Sequence, residues 1–230
     1  MTQAVVLFGS PGSGKGTQAE LLKGCLHVPH ISTGDMLREH IRQGNSLGVK
    51  VADTMHSGAL VRDEVVNRLV EERLAQPDAR DGFILDGYPR TRAQGEHLIK
   101  WFDSHSIREV VIHLLVDYNI IVSRLAGRRQ CPRCGTLYNI FSHPPRVDEV
   151  CDLDGEKLVV RDDDREPVIR QRLAAYESQT RPLLEFFREK GRRLFEIDAG
   201  NQPPEALLTN VCRSIHGTEN GTSAAPVVDG

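Results

Sequence analysis

Gly9-Ser-Pro-Gly12-Ser-Gly14-Lys15-Gly16-Thr17 combines closely spaced glycines with a long-armed cation, the pairing that a chain of phosphates requires. Ala4 to Phe8 precedes it as a short apolar run and reads as a buried strand. From Gly14 the pattern turns helical, with Ala19, Leu22 and Leu26 on one side. A Gly-rich turn between a strand and a helix is the setting of a phosphate-binding loop. Its glycines permit positive φ, so backbone N–H groups at Gly12, Ser13, Gly14, Lys15, Gly16 and Thr17 can face one concavity. The helix N-terminus adds partial positive charge, and Lys15 can reach the β- and γ-phosphates. The general motif places Ser or Thr directly after the Lys to hold Mg²⁺; here Gly16 follows and the hydroxyl comes at Thr17. The motif therefore requires a family with a G-K-G-T ending. The bland alternative, a Gly-rich turn with a stray Lys, does not explain the strand before it and the helix after it.

A second constellation is Cys131-Pro-Arg-Cys134-Gly and Cys151-Asp-Leu-Asp154-Gly, with sixteen residues between Cys134 and Cys151. Each half reads ligand, two residues, ligand, Gly, which is zinc-ribbon spacing with Asp in the fourth place. Zn²⁺ accepts carboxylate oxygen, so the swap is chemically sound. His143 and Asp152 are alternative fourth ligands. No coordination position is left open, so the expected zinc is structural. Cys25 and Cys212 are isolated and read as small buried apolar residues. The nine His residues are scattered and support no pH switch.

These residues need elements to hold them. Gly82 to Asp86, Val110 to Val116 and Arg193 to Asp198 read as further strands. The second is almost wholly apolar apart from His113, as in a parallel sheet buried on both faces. Helical patterns cover Arg62 to Leu74, Arg92 to Asp103, Asn119 to Arg128 and Glu166 to Glu189, the last interrupted by Pro182. Ser32 with Asp35 fits a helix cap. Strands alternating with helices predict a three-layer α/β fold. Residues 33–61, helical with no strand to cover, and 130–164, rich in Cys, Pro, Asp and Gly, read as insertions. The tail from Gly217 is small and polar and is expected to be disordered.

The 230 residues carry a formal net charge of −3, with 39% hydrophobic and 27% charged residues. That is ordinary for a globular protein and lacks the basic excess of a nucleic-acid binder. No apolar stretch of membrane-spanning length and no secretory leader is read. A cytoplasmic protein is expected, with no membrane partner, in which clustered cysteines suggest metal over disulfide.

GSPGSGKGTQ from Gly9, ISTGDMLR from Ile31, GFILDGYPRT from Gly82, GRR from Gly127 and Arg161-Asp162-Asp163 followed by Arg172 occur in one order. In these motifs the chain resembles the adenylate kinase family from residue 4 to about 212, in its long-lid, zinc-binding form. The resemblance implies a P-loop kinase fold with a central five-stranded parallel sheet, the fifth strand lying near Val28 to Ile31. It implies a core domain (1–31, 62–128, 165–216), an AMP-binding insertion (32–61), a zinc-ribbon-like lid (129–164) and a tail (217–230). The expected reaction is reversible phosphoryl transfer from ATP·Mg²⁺ to AMP, giving two ADP, by a monomer.

Carried onto this chain, Lys15, Arg90, Arg124, Arg161 and Arg172 are expected to be catalytic. Arg124 and Arg128 are phosphate ligands on the lid side for ATP, with Leu137, Tyr138 and Gln202 also on the ATP side. Thr33, Arg38, Ala59, Leu60, Val61, Gly87, Arg90 and Gln94 belong to AMP, Gln94 reading the adenine edge, and Arg161 and Arg172 hold both nucleotides. Asp86, ending an apolar strand where open α/β sheets bind ligands, is expected to hold a water on Mg²⁺. Phosphoryl transfer needs positioning and charge cancellation more than covalent chemistry, which suits many Arg and no Ser-His-Asp triad. Two rivals remain: a kinase for another nucleoside monophosphate, and an ATP-driven module whose zinc ribbon grips nucleic acid. Against the second, residues 124–172 hold ten Lys/Arg and nine Asp/Glu, a near balance.

Overall fold

A computed structural model describes residues 3–217. The expected disordered tail lies outside the described residues from position 218 onward. In chain order the elements begin with β1 (Gln3–Phe8), α1 (Lys15–Leu26), β2 (His30–Ser32), α2 (Thr33–Arg42), α3 (Ser46–Ser57), α4 (Asp63–Leu74) and β3 (Gly82–Asp86). Next come α5 (Arg92–Ser104), β4 (Arg108–Leu115), α6 (Tyr118–Ala126), β5 (Arg128–Gln130) and β6 (Leu137–Asn139). The chain continues through α7 (Glu166–Ala175), α8 (Leu183–Glu189), β7 (Leu194–Asp198) and α9 (Pro204–His216).

Five parallel strands form one sheet in the order β2-β3-β1-β4-β7. Alternation along β1 explains the layers. Ala4, Val6 and Phe8 join a core with residues of α4, α5 and α8. Val5 and Leu7 point the other way, into a core with Ala19 and Leu22 of α1 and Leu207, Val211 and Ile215 of α9. Side chains alternate across a strand, so a strand apolar at every position must be covered on both faces. The three layers expected from the pattern are those observed. The carboxyl ends of β1 and β3 then open onto the edge where α/β sheets take ligands.

The insertions are built differently. Residues 33–61, read as one helical stretch, form two helices that turn at Gln43–Asn45. Asn45 caps α3 by accepting from Gly48 N at 2.9 Å. A Cβ on Gly48 would lie 2.0 Å from the His40 carbonyl oxygen, so only glycine lets α2 and α3 cross this closely. Ser32 caps α2 as expected, accepting from Asp35 N at 3.3 Å. The helix expected to reach Arg128 stops at Ala126, and its cap Gly127 sits against Phe141 and Asn139 with no room for a side chain. Arg128 instead starts β5, paired antiparallel with β6. The long helix expected over 166–189 divides before Pro182, through a π-turn at Tyr176–Thr180. The helix α9 has no counterpart in the sequence reading, although Leu207, Val211 and Ile215 carry a four-residue apolar spacing. Cys25 is exposed and Cys212 half-buried, which corrects the expectation that both are buried.

Phe187 of α8 is fully buried, with its ring 5.5 Å from Phe8 in edge-to-face contact. Phe187→Ala is expected to destabilise the protein by about 3–5 kcal/mol, the usual cost of a buried aromatic truncation. Chemical denaturation should show a lower midpoint with unchanged slope. An unmoved midpoint would mean that α8 does not complete this layer.

Candidate active site and metal centre

The loop after β1 turns through Gly12 (φ +81) and Gly14 (φ +96). A Cβ on Gly12 would meet Leu125 Cγ of α6 at 2.9 Å, so this close approach also needs glycine. Lys15 opens α1 and folds over the loop, donating to the carbonyls of Gly9 (2.7 Å) and Ser10 (2.8 Å). Burial, opposed by Asp86 and reinforced by Arg90, Arg172 and Arg128, lowers its ammonium to about 8.

Lys15 stands on the wall of a cleft of ≈ 2090 Å³ that Arg38, Arg90, Arg124, Arg128, Arg161 and Arg172 also line. Burial and then the neighbouring Arg172 bring the Arg90 guanidinium down to about 10. Burial, then Arg38 and Arg128, bring Arg161 down to about 9. Arg172 is also lowered, by burial and by Arg128 and Arg38 against Asp163 and Asp164. Clustered, desolvated like charges are an anion site: each gains from a negative group brought among them.

Carboxylates and carbonyls hold these cations in place. The Asp164 side chain is fully buried and takes both Arg128 and Arg172, the latter at 3.0 Å. Asp163 lies 3.0 Å from Arg172 and 3.7 Å from Arg38. Asp35 takes Arg38 at 2.6 Å and Arg161 at 3.1 Å. Burial alone would raise its carboxyl, and the two guanidiniums bring it to about 2. Arg90 Nε donates to the Gly87 carbonyl at 2.8 Å. Arg124 is arranged differently, donating to Ala199 (2.9 Å) and Gly200 (2.8 Å) at the start of the loop that carries Gln202.

At the end of β3, Asp86 lies 3.5 Å from His30 Nε2. Its burial would raise the carboxyl, but His30 and Lys15 lower it. A Cβ on Gly16 would fall 3.7 Å from Asp86 Oδ2, so the glycine after Lys15 borders this carboxylate directly.

All the residues expected on the ATP side line the cleft: Gly12 to Thr17, Arg128, Leu137, Tyr138 and Gln202. On the other side Arg38, Ala59, Leu60, Gly87, Arg90, Arg161 and Arg172 line it. Three expected residues stand behind the wall. Thr33 is buried and donates to the Gly87 carbonyl at 2.8 Å. Val61 belongs to the core. Gln94 accepts from Arg90 N (2.8 Å) and donates to Asp63 (2.8 Å), which occupies both ends of its amide. The sequence reading missed Asp35, Asp164 and His30. An Asp run beside Arg161 was the available signal for Asp164.

In the Cys-rich lobe the ligand atoms of Cys131, Cys134, Cys151 and Asp154 lie within 4.8 Å of one another. Cys134 Sγ is 3.6 Å from Cys151 Sγ, and Cys131 Sγ is 3.4 Å from Asp154. Four ligands around zinc at about 2.3 Å would stand about 3.8 Å apart, so the group fits a tetrahedral ion with small adjustment. Each knuckle closes on a glycine, Gly135 N donating to Cys131 O and Gly155 N to Cys151 O, both at 3.0 Å. Neither alternative ligand belongs to the group. Asp152 Oδ1 accepts from Arg146 N at 2.9 Å, and His143 stacks on Tyr138.

A family model described as adenylate kinase matches residues 7–192. A protein named adenylate kinase from Pseudothermotoga lettingae is 50% identical over 212 residues, 92% of this chain and 97% of its own. One from Moorella thermoacetica is 46% identical over 205 residues, covering 89% and 94%. One from Methanocella arvoryzae is 45% identical over 201 residues, covering 87% and 93%.

The lobe's own core is Cys131, Tyr138, Cys151 and Leu158, so half of it consists of candidate ligands. Elemental analysis should find one metal ion per chain. Cys134→Ser should lose it and lower the melting temperature, whereas Asp154→Cys should retain it. Stoichiometric metal in Cys134→Ser, or none in the parent protein, would contradict this centre.

Proposed function

The chain belongs to the adenylate kinase family, and from that premise we propose how its cleft divides the work of an ATP:AMP phosphotransferase. The reaction moves a phosphoryl group reversibly between ATP·Mg²⁺ and AMP, with two ADP as products. The observation that carries the reading is the convergence of Lys15 and buried guanidiniums beside the glycine loop. In-line transfer asks a protein for positioning and for charge matched to the transferring oxygens, and this cleft offers both.

On the ATP side the loop from Gly12 to Thr17 cradles the phosphates with its N–H groups, and Lys15 bridges to the transferring phosphoryl. Arg128 adds charge to the same phosphates. Arg124 was expected there too; its bonds to Ala199 and Gly200 favour a role in holding the loop that meets the adenine, with Gln202, Leu137 and Tyr138 nearby. On the AMP side Arg38 and Arg90 take the phosphate, with Ala59, Leu60 and Gly87 around the nucleoside. Thr33, Val61 and Gln94 back that wall, Gln94 through its bond to Arg90. Arg161 and Arg172 stand between the two phosphate groups. Mg²⁺ neutralises phosphate charge when bound with ATP, and Asp86 would hold one of its waters. No observation favours either rival reading of the sequence.

The proposed division of the chain is a core (1–31, 62–128, 165–216), an AMP-side hairpin (32–61) and a metal lobe (129–164). Closure of the last two over the core would exclude water from the reacting phosphate. The proposed ion at the Cys131, Cys134, Cys151 and Asp154 site is Zn²⁺, and its role is structural. The reading includes a monomer acting in the cytoplasm, without nucleic-acid or membrane partners. In support, the net charge is −3 and no helix among the described residues is long and apolar enough to cross a membrane.

Two tests follow from the assignments. Lys15→Met should lower turnover by about 10²–10³, the usual cost of removing one group that stabilises transition-state charge. A coupled assay for ADP checks it, and near-normal turnover would remove Lys15 from the reaction. Arg38→Ala and Arg90→Ala should each raise KM for AMP more than KM for ATP. Equal effects on both substrates would place the residue between the nucleotides.

A further inference from the structure

Gln130 has no role in the assignments above, yet it touches both halves of the lobe's design. It directly precedes the candidate ligand Cys131 and ends β5. Its backbone pairs with Leu137 on one side and exchanges hydrogen bonds with Val159 on the other, both at 2.9 Å. The side chain therefore starts from a fixed junction. Its amide nitrogen donates to the carbonyl of Gly135 at 3.1 Å, the glycine that closes the first knuckle. Its amide oxygen accepts from Arg161 Nε at 2.7 Å. The acceptor at one end and the donor at the other determine which way round the amide lies.

Arg161 needs such a partner. Its side chain is only 8% exposed, and Arg38 and Arg128 repel it. Asp35 holds one end of the guanidinium, Nη2, but that carboxylate is half-exposed and shared with Arg38. A second carboxylate on Nε would aim the group and also cancel the charge the phosphates need. A neutral amide aims it and leaves the charge available.

We propose that Gln130 is a positioning residue that transmits the fold of the metal knuckle to Arg161, through the path Gly135–Gln130–Arg161. The proposal rests on the reading of Arg161 as a phosphate ligand. It gives the metal lobe a second task, because the knuckle that the ion closes also sets the direction of a guanidinium in the cleft.

The test uses the full-length protein as purified. Metal content, steady-state kinetics and calorimetric ADP affinity are measured for Gln130→Leu, Gln130→Glu, Arg161→Ala and the Gln130→Leu/Arg161→Ala double variant. Gln130→Leu should keep its metal, lose about 10- to 100-fold in kcat, as misplacement of a reacting group by about 1 Å does, and bind ADP more weakly. The double variant should be no slower than Arg161→Ala, because a residue acting through another adds nothing once that other is gone. Gln130→Glu keeps the acceptor for Arg161 but loses the donor to Gly135 and adds a negative charge, so it should recover only part of kcat and raise KM. Gln130→Leu with normal kinetics, or a double variant that multiplies the two single losses, would overturn the proposal. So would metal loss from both Gln130 variants with activity falling in step, which would make the side chain a support of the knuckle alone. Arg161→Ala with normal kinetics would instead overturn the reading of Arg161 itself.

Discussion

Holding several cations side by side in a buried cleft is the constraint on which the rest of the molecule depends. Lys15, Arg90, Arg161 and Arg172 are all lowered by burial and by neighbouring guanidiniums, Arg38 and Arg128 among them. Left to themselves such groups would separate or draw in water. The fold opposes this with partial compensation. Asp163 and Asp164 restrain Arg172, and Asp164 also restrains Arg128. The Gly87 carbonyl holds Arg90, and loop carbonyls hold Lys15. Carbonyls aim a cation and neutralise it little, so the net attraction for phosphate survives. A cleft fully balanced by carboxylates would be more stable and a poorer phosphate site.

That constraint suits the proposed division between a sheet covered on both faces and two appended pieces. The sheet is covered on both faces, and its strand ends place the glycine loop and Asp86 together. Groups on the opposite side of the phosphates cannot come from the same sheet edge. They come from α2, which carries Arg38, and from the C-terminal end of the lobe, which carries Arg161. The lobe is too small to fold on hydrophobic burial. Cys131 and Cys151 are half of its four-residue core, so the ion proposed there would supply the missing free energy. Contacts between the pieces, Arg161 with Asp35 and Arg38 with Asp163, are themselves ion pairs among cleft residues.

The parts of this arrangement set by short-range rules were legible in the sequence. Strand, glycine loop and helix are contiguous, so Lys15 could be placed at once, and the paired Cys turns led to the four-residue ligand group. Alternation in β1 and the apolar run of β4 led to the layers. What escaped depends on distant partners. Gln94 carries an amide suited to a base edge, yet Asp63 and Arg90 occupy it. Arg124 looks like any other cleft arginine until the loop at Ala199 is placed beside it. Asp164 looks like one of three exposed acids and is the most buried carboxylate of the site. Gln130 carries no motif, and its two partners are five and thirty-one residues away. The close packing of Gly127 on Phe141 and Asn139, at the end of α6, is likewise not encoded by local propensity.

The proposed cleft would hold the phosphates of both nucleotides on a shared set of cations. The most direct test is calorimetric titration with a single molecule that joins two adenosines through a chain of phosphates, carried out at two salt concentrations. One molecule should bind per chain, far more tightly than ATP or AMP alone, with affinity falling as salt rises. Binding no tighter than that of ATP, or two molecules bound per chain, would contradict it.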